Sequence, residues 1–384
     1  IALSLLVLLG LATARSGAAP GLVVDVQSGR VIAAEQAFDR WSPASLTKLM
    51  TAYVTFREIE AGNLTLRSPV RMSSHAANHP PSKIGYKVGS VMTVENALEM
   101  IIVKSANDVA VALGEAVSGS EPSFIAAMNR EAALLGMTDT NFVNPHGLHH
   151  PDQYTTARDL ALLATAIRKN YPQYDPIFAA EAIRIGDEVT ATYNLLLGRY
   201  AGADGMKTGF VCASGFNLAA SATRQGQTMV AIVLGATSQK TRAERSVALL
   251  EQGFASTQSQ ATSLLALPRP ADVSNTIADL RLEVCTEEAR AQRWDGRQIE
   301  GYIEFDTPLI SAMQRTPNAL DSGLGGADGV SKSAVVLNGR YLAAYPVPAD
   351  RPDQSDVAGE TQIDDLGLRQ GIELPVPAPR PENG

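Results

Sequence analysis

The chain has 384 residues, a length that favours two domains over one. Hydrophobic residues make up 45% of it and charged residues 19%, which is typical of a globular protein that buries a core. The formal net charge of −8 argues against sequence-independent nucleic-acid binding, which needs a basic face.

Residues 1–19 open with the apolar run IALSLLVLLGL, followed by small residues in ATARSGAAP. This pattern is typical of a secretory signal peptide, and the run is short for a membrane span. We expect a signal truncated at its N-terminus, because a basic n-region is missing, with cleavage after Ala14 or Ala19. A buried strand or helix and an uncleaved anchor are the alternatives.

Residues 21–35 are predicted to form a β-hairpin, with Gly29 suited to positive φ in its turn. A helical pattern begins at Ser45, where Leu46, Leu49 and Met50 start an i, i+3, i+4 repeat. Further helices are predicted at 94–103, 107–117, 122–135, 156–170 and 241–254, and two strands at 216–223 and 228–234. Strands at both ends and helices between them predict an α+β domain, with an antiparallel sheet flanked by helices.

This first domain is expected to span residues 20–254. Residues 255–348 form a small C-terminal extension, where the alternating segments LRLEV and IEGYIEF indicate a β-containing element. Residues 349–384 turn polar and then Pro-rich, and we expect a disordered tail.

Ser45 and Lys48 are a candidate nucleophile and base. At i and i+3 on a helix they share a face, and a serine hydroxyl needs a neighbouring base to take its proton. Lys48 would have to be neutral, which requires burial or a second cation such as Lys207. Taken alone, a helix N-cap at Ser45 and a surface charge at Lys48 is the simpler interpretation.

Two further clusters follow in order. Ser105 and Asn107 lie between two apolar helical runs, where polar side chains can project into a cleft or cap the next helix. Lys207, Thr208 and Gly209 precede the predicted strands, and an edge strand there would align an extended peptide. Ser-x-x-Lys, a second serine triplet and Lys-Thr-Gly together are typical of β-lactamases and penicillin-binding proteins.

With all three clusters present, the chain resembles the D-alanyl-D-alanine carboxypeptidases of serine peptidase family S11, the low-molecular-mass penicillin-binding proteins. The segments that carry the resemblance are PASLTKLMTAYV, VKSANDVAVALGEAV, FVNPHGL, TTARDLALLA and DGMKTGF. The resemblance covers residues 21–254 and implies the β-lactamase/DD-peptidase-like transpeptidase fold.

The resemblance also implies roles for individual residues. Ser45 would form an acyl-enzyme with the penultimate D-alanine of a peptidoglycan stem peptide, and Lys48 would accept its proton. Ser105 would pass a proton to the departing D-alanine, and Asn107 would bind the substrate amide. The substrate carboxylate would be bound by three further residues, Lys207, Thr208 and Arg242. Gly209 permits close approach, and the backbone N–H groups of Ser45 and Phe210 would form the oxyanion hole.

Some features depart from the family or leave alternatives open. Phe210 stands where some members have a polar residue or histidine. Arg242 has a looser motif, and a solvated helix arginine is the alternative there. Cys212 and Cys285 form either a disulfide or two separate buried thiols, and Cys212 lies close enough to the site to be reactive. A C-terminal amphipathic membrane helix, common in the family, is not evident, which leaves membrane attachment open.

The expected activity is a D-Ala-D-Ala carboxypeptidase in the periplasm or at the outer face of the bacterial inner membrane, inhibited covalently by β-lactam antibiotics. It is expected to need no cofactor or metal, because the carboxylate spacing of known zinc motifs is absent. The alternatives are a murein DD-endopeptidase, a catalytically inactive cell-wall binding module and a class A-like β-lactamase. A class A-like β-lactamase needs a positioned glutamate, and this chain has no Glu-x-x-Leu-Asn element between Asn107 and Lys207, since the sequence around Glu181 does not fit one.

Overall fold

A computed structural model describes residues 19–257, 262–294, 303–327, 336–337 and 340–341 of the chain. The expected signal peptide, apart from Ala19, and the expected Pro-rich tail lie outside these residues. Within the described ranges, no helix is both long enough and apolar enough to cross a membrane.

Twelve strands occur in the described residues and are numbered along the chain. They are β1 (Gly21–Asp25), β2 (Val31–Glu35), β3 (Pro69–Arg71), β4 (Val91–Thr93), β5 (Ala182–Ile185), β6 (Glu188–Ala191), β7 (Ala203–Val211), β8 (Gly215–Arg224), β9 (Gln227–Ala236), β10 (Ala319–Asp321), β11 (Val336–Leu337) and β12 (Arg340–Tyr341). Five of them form one antiparallel sheet in the order β2-β1-β9-β8-β7, which leaves β7 at an edge. The small sheets are β3-β4, β10-β5-β6 and β11-β12.

Turn chemistry explains the two predicted hairpins, which are both confirmed. Strands β8 and β9 are joined by Gln225 and Gly226, which have φ of 50° and 80°. Positive φ at both central residues is the type I′ turn, whose twist matches that of the flanking strands. In the β1–β2 hairpin, Gly29 adopts a φ of 68°.

Helices fill the middle of the chain, as predicted. They are α1 (Thr47–Glu60), α2 (Ser74–Ala77), α3 (Val94–Glu99), α4 (Asn107–Ser118), α5 (Glu121–Leu134), α6 (Ala157–Asn170), α7 (Asp175–Phe178), α8 (Gln239–Ala255), α9 (Arg281–Val284) and α10 (Glu287–Trp294). Short 3₁₀ turns precede α1 and α7, and α3 runs into a π-helical turn at Met100–Lys104. The predicted helices at 94–103, 107–117, 122–135, 156–170 and 241–254 all agree to within a few residues.

The alternation of side chains along the strands places the sheet between two helical layers. Leu22 and Ile232 face the large core that contains α1, α4 and α6. Val23 and Ala231, one residue along, face α8 and pack in the cluster that includes Val247. Helix α1 is central, with ten of its 14 residues buried. The expected antiparallel sheet flanked by helices is confirmed.

The chain beyond residue 254 returns to this domain. Val31 donates a backbone hydrogen bond to Thr262, and the side chain of Leu264 enters the main core. Cys285 forms a disulfide with Cys212, which settles the question that the sequence left open. Both cysteines of the chain are therefore bonded, and the alternative of a reactive free thiol at Cys212 is wrong.

The predicted β structure in LRLEV is wrong, because residues Arg281–Val284 form one helical turn. Five residues are too few for period two to be distinguished from a turn held by its tertiary contacts. Further on, β10 pairs in parallel with β5, and Arg315 forms an ion pair with Glu181 at 2.6 Å. The IEGYIEF segment lies partly outside the described residues, and residues 303–305 are not in a strand.

Candidate active site

Ser45 and Lys48 lie where the 3₁₀ turn Ala44–Leu46 passes into α1. Ala44 has a φ of 48°, an unfavourable conformation for a residue with a side chain, and it turns the chain sharply into the helix. Ser45 is half-buried, whereas Lys48 is fully buried. The alternative interpretation of Lys48 as a surface charge is therefore wrong, and the Ser45 hydroxyl is the part of the pair that lies nearest to solvent.

The amine of Lys48 has three oxygen neighbours. Its Nζ lies 3.0 Å from Ser45 Oγ, 2.8 Å from Asn107 Oδ1 and 2.6 Å from the carbonyl oxygen of His146. The last two oxygens can only accept hydrogen bonds, so they use both N–H groups of a neutral amine. The lone pair is then left for Ser45, which alone among the three neighbours carries a proton to donate. The geometry therefore fits a lysine poised to deprotonate the serine.

The electrostatics act in the same direction. Burial lowers the pKa of Lys48 well below its usual value, and the positive charge of Lys207 adds to this effect. The carboxylate of Asp108 opposes the shift, but it is the smallest of the three influences. Because the side chain has no access to water, its surroundings disfavour the charged amine relative to the neutral one. The prediction that Lys207 serves as the second cation agrees with this arrangement.

Ser105 lies at a backbone corner opposite α1. The π-helical turn ends at Lys104 and is followed by Ser105, which adopts a left-handed conformation with φ of 64°, and α4 begins two residues later at Asn107. Non-glycine residues in this region cost free energy and cluster at functional sites. The corner presents both side chains toward the lysines: Ser105 Oγ accepts from Lys207 at 3.0 Å, and Asn107 accepts from Lys48.

Asn107 has more partners than the sequence predicted. Besides accepting from Lys48, its amide donates to the carbonyl of Pro80 at 3.2 Å, and its backbone N–H donates to Ser82 at 2.7 Å. The side chain is buried. Asn107 therefore fixes the position of Lys48, and a contact with a substrate amide would have to use its remaining N–H.

Lys207 extends from β7, which is an edge strand. This agrees with the sequence analysis, which expected the Lys-Thr-Gly motif on an edge strand. Its Nζ donates to Ser105 Oγ and, at 2.9 Å, to the carbonyl of Thr208. Burial lowers the pKa of Lys207 to about 7, and the charge of Arg242 acts in the same direction. Near neutral pH this amine can therefore gain or lose a proton readily.

Gly209 allows β7 to pass close to the serine. A Cβ at this position would lie 3.1 Å from the backbone nitrogen of Ser45, tighter than ordinary packing. Phe210 follows, is partly exposed, and packs on Phe216 with ring centroids 4.3 Å apart. The backbone of β7 at Gly209 thus passes close to the backbone nitrogen of Ser45.

Arg242 is buried in α8, so the alternative of a solvated helix arginine is wrong. It donates to the carbonyl of Tyr193 at 2.7 Å, and burial lowers the pKa of Arg242 to about 9, which leaves it charged at neutral pH. Its Nε has no hydrogen-bond partner within the described chain. Its direct effect on the site is through its charge, which lowers the pKa of Lys207.

The sequence did not predict the roles of two residues of the site. His146 supplies the carbonyl that binds Lys48, and its NPHG segment was noted only as part of a family block. Asn217 donates to the carbonyls of Ser42 and Pro43 and so holds the turn that carries Ser45. Neither role leaves a signal in the sequence, because one uses backbone and the other joins distant segments.

The site combines a serine, a lysine base, a second serine and a second lysine around one edge strand. This combination defines the class of serine hydrolases that act through an acyl-enzyme. The family model described as "Peptidase_S11: D-alanyl-D-alanine carboxypeptidase" matches residues 12–238. The chain belongs to this family.

Individual relatives agree with this placement. The chain is 36% identical to D-alanyl-D-alanine carboxypeptidase DacC of Escherichia coli over 240 residues, which cover 61% of this chain and 60% of that protein. The match thus spans about 60% of that relative's length. The crystal structure of penicillin-binding protein 5 from Haemophilus influenzae has a TM-score of 0.59 and 33% identity, covering 62% of this chain and 70% of that one.

A third similar structure is penicillin-binding protein D2 from Listeria monocytogenes in its ampicillin-bound form. It has a TM-score of 0.54 and 27% identity, over 61% of this chain and 96% of that one. These structures confirm the expected transpeptidase fold.

Proposed function

We propose that this protein is a serine-type D-Ala-D-Ala carboxypeptidase, which removes the terminal D-alanine from peptidoglycan stem pentapeptides and is acylated by β-lactams. The observation that carries the proposal is the environment of Lys48 Nζ, whose two carbonyl-type neighbours leave its lone pair for Ser45 Oγ at 3.0 Å. Family membership and the ampicillin-bound relative support the substrate class.

In the first step, Ser45 Oγ attacks the carbonyl carbon between the two D-alanines while Lys48 takes its proton. A C–O bond forms and the carbonyl oxygen becomes negative. The backbone N–H groups of Ser45 and Phe210 would stabilise that charge, and such donors contribute about 3 kcal/mol each in serine hydrolases.

In the second step the C–N bond breaks, and the departing amine of D-alanine needs a proton. Ser105 would donate it and recover one from Lys207, which lies 3.0 Å away and has a pKa lowered to about 7. The proton that Lys48 took from Ser45 in the first step would then pass to Lys207, so that Lys48 is neutral again and Lys207 is again a cation. The same cation, with Thr208 and the buried charge of Arg242, would attract the substrate's terminal carboxylate. Edge strand β7 would align the peptide backbone beside it.

In the third step water hydrolyses the acyl-enzyme, again with Lys48 as base. A class A β-lactamase speeds this step with a positioned glutamate. Within the described chain, the hydrogen bonds of Ser45 and Lys48 involve no carboxylate, and Glu181 is paired with Arg315. We therefore expect a long-lived penicilloyl-enzyme, and rapid turnover of a chromogenic cephalosporin would contradict it.

We further propose that the protein acts outside the cytoplasm, in the periplasm or at the outer face of the inner membrane. The Cys212–Cys285 disulfide supports this location, because disulfides persist in oxidising compartments and are rare in the cytosol. The apolar run at residues 1–11 agrees with export.

Labelling with a fluorescent penicillin tests the proposal. We expect a covalent band in the wild type, none in Ser45→Ala, and an unchanged band in the control Ser28→Ala, an exposed serine of the β1–β2 turn. Labelling that persists in Ser45→Ala would refute the nucleophile, and an unlabelled wild type would favour an inactive binding module. D-alanine release from a peptide ending in D-Ala-D-Ala tests the carboxypeptidase, and preferential cleavage of muropeptide dimers would favour an endopeptidase.

A further inference from the structure

A cluster of two histidines and a glutamate lies next to the active site and has no part in the proposed chemistry. His75 lies in α2, His79 follows that helix by two residues, and Glu121 is the first residue of α5. One ligand atom from each comes within 4.8 Å of the other two. His75 Nε2 and Glu121 Oε2 are 2.6 Å apart.

The spacing within the chain suits a metal ion. His75 and His79 are four residues apart. The backbone between them continues as a turn, in which the backbone N–H of His79 donates to the carbonyl of Ala76. Histidines four residues apart on a helix are a recurrent zinc-binding pair, and here the ring centroids of His75 and His79 lie 5.0 Å apart. Glu121 adds a carboxylate from a different helix, so the ligands converge from two elements.

The donor set favours a transition metal over calcium or magnesium, because two of the three ligands are imidazoles. Ligand atoms about 2.0–2.1 Å from a tetrahedral zinc ion lie about 3.4 Å from one another. The three ligand atoms here lie within 4.8 Å of one another, so side-chain movements of roughly 1 Å would bring them to that spacing. The side chain of His75 is 48% exposed, which gives an ion a path from solvent.

An ion pair between His75 and Glu121 leaves one feature of the cluster unexplained. His79 Nδ1 is buried and has no hydrogen-bond partner within the described residues. Buried polar nitrogens of this kind are rare, because an unmade hydrogen bond costs free energy.

The cluster is connected to the catalytic residues by short contacts. Pro80, next to His79, accepts the hydrogen bond from the side chain of Asn107, and Ser82 accepts from its backbone. The ring of His79 also packs on that of His146 with centroids 4.9 Å apart, and the His146 carbonyl binds Lys48. An ion at His79 would therefore fasten the segment that holds Asn107 and Lys48 in place.

We propose that one divalent transition-metal ion such as Zn²⁺ is bound by His75, His79 and Glu121. This ion clamps residues 79–85 against the N-terminus of α4. The site does not take part in the acyl-transfer steps. It stands independently of the proposed function, since it can bind metal whatever the substrate.

Calorimetric titration of the chelator-treated full chain with Zn²⁺ tests the site. We expect one ion per chain, and at least a tenfold loss of affinity in Glu121→Gln and in the double variant His75→Asn/His79→Asn. The matched control is His149→Asn/His150→Asn, which removes two histidines from another loop and should bind as the wild type does. Cobalt(II) absorption bands should appear in the wild type and control only.

Hydrogen exchange of residues 79–85 tests the clamp. We expect exchange to slow on adding Zn²⁺ to the wild type and to stay unchanged in Glu121→Gln, whose fold is checked by circular dichroism. Absence of stoichiometric Zn²⁺ binding, or equal binding by the variants, would overturn the site. Binding without slower exchange would overturn the clamp. Penicillin labelling is a separate measurement, so failure of the proposed function would be seen independently.

Discussion

Replacing Lys207 with methionine should make the protein more stable while abolishing its activity. Burial lowers the pKa of Lys207 from 10.5 to about 7, and each pKa unit corresponds to about 1.4 kcal/mol. Holding the charged amine in the folded state therefore costs about 4 kcal/mol at pH 7, where it is half protonated. Methionine keeps the apolar stem but loses the hydrogen bonds to Ser105 and Thr208, about 1 kcal/mol each. We expect a net gain of about 2 kcal/mol.

The pH dependence of this gain follows from linkage. The unfolded chain holds the Lys207 proton up to pH 10.5, whereas the folded chain releases it near pH 7. Between these values the unfolded state binds more protons, so wild-type stability rises with pH. The penalty is complete below pH 7 and fades toward pH 10.5. The advantage of the methionine variant should therefore shrink by about 2 kcal/mol between pH 7 and pH 9.

Urea unfolding of wild type and Lys207→Met at pH 7, 8 and 9 measures the gain, and fluorescent penicillin measures the loss of acylation. The control is Lys169→Met, which removes an exposed lysine and should change the free energy of unfolding by less than about 0.5 kcal/mol. A Lys207→Met variant that is less stable than wild type at pH 7, or whose advantage grows with pH, would refute the reasoning.

Three further variants probe other contacts of the site. Asn107→Asp would place a carboxylate beside the Lys48 amine, now 2.8 Å from the amide oxygen, and so raise the pKa of Lys48. Its penicillin acylation rate should fall at least tenfold at pH 7 and recover at higher pH, and a profile identical to wild type would contradict this. Gly209→Ala would put a Cβ 3.1 Å from the Ser45 nitrogen and should slow acylation on the order of 100-fold by displacing the oxyanion donors. A stopped-flow rate within a factor of two of wild type would count against that arrangement. Cys285→Ser opens a disulfide between residues 73 apart in sequence, which should lower the free energy of unfolding by about 4 kcal/mol in urea titrations. A change below about 1 kcal/mol would mean that the link does not constrain the unfolded chain.

Local patterns determined most of the elements. The β8–β9 hairpin follows from a turn whose two central residues suit positive φ, and α1 follows from an apolar repeat that continues without interruption. Such features depend on residues near each other in the chain, so the sequence suffices to predict them. The LRLEV segment failed because five alternating residues also suit a helical turn when a disulfide holds the next residue.

The chemical identity of the site was also accessible from the sequence, since Ser45 and Lys48 share a helix and the other motifs follow in order. Their mutual placement was not. Burial and the charge of Lys207 lower the pKa of Lys48, and Asn107 and the His146 carbonyl orient its amine, and all of these partners come from remote segments.

Only the tertiary structure decided that Cys212 and Cys285 form a disulfide and that Arg242 is buried. It also decided that His75 and His79 lie close to Glu121. The reason is that burial, charge proximity and ligand convergence depend on how distant segments pack. The serine and its base were thus determined by the sequence itself, whereas the protonation state that would make the base effective depends on the folded core around it.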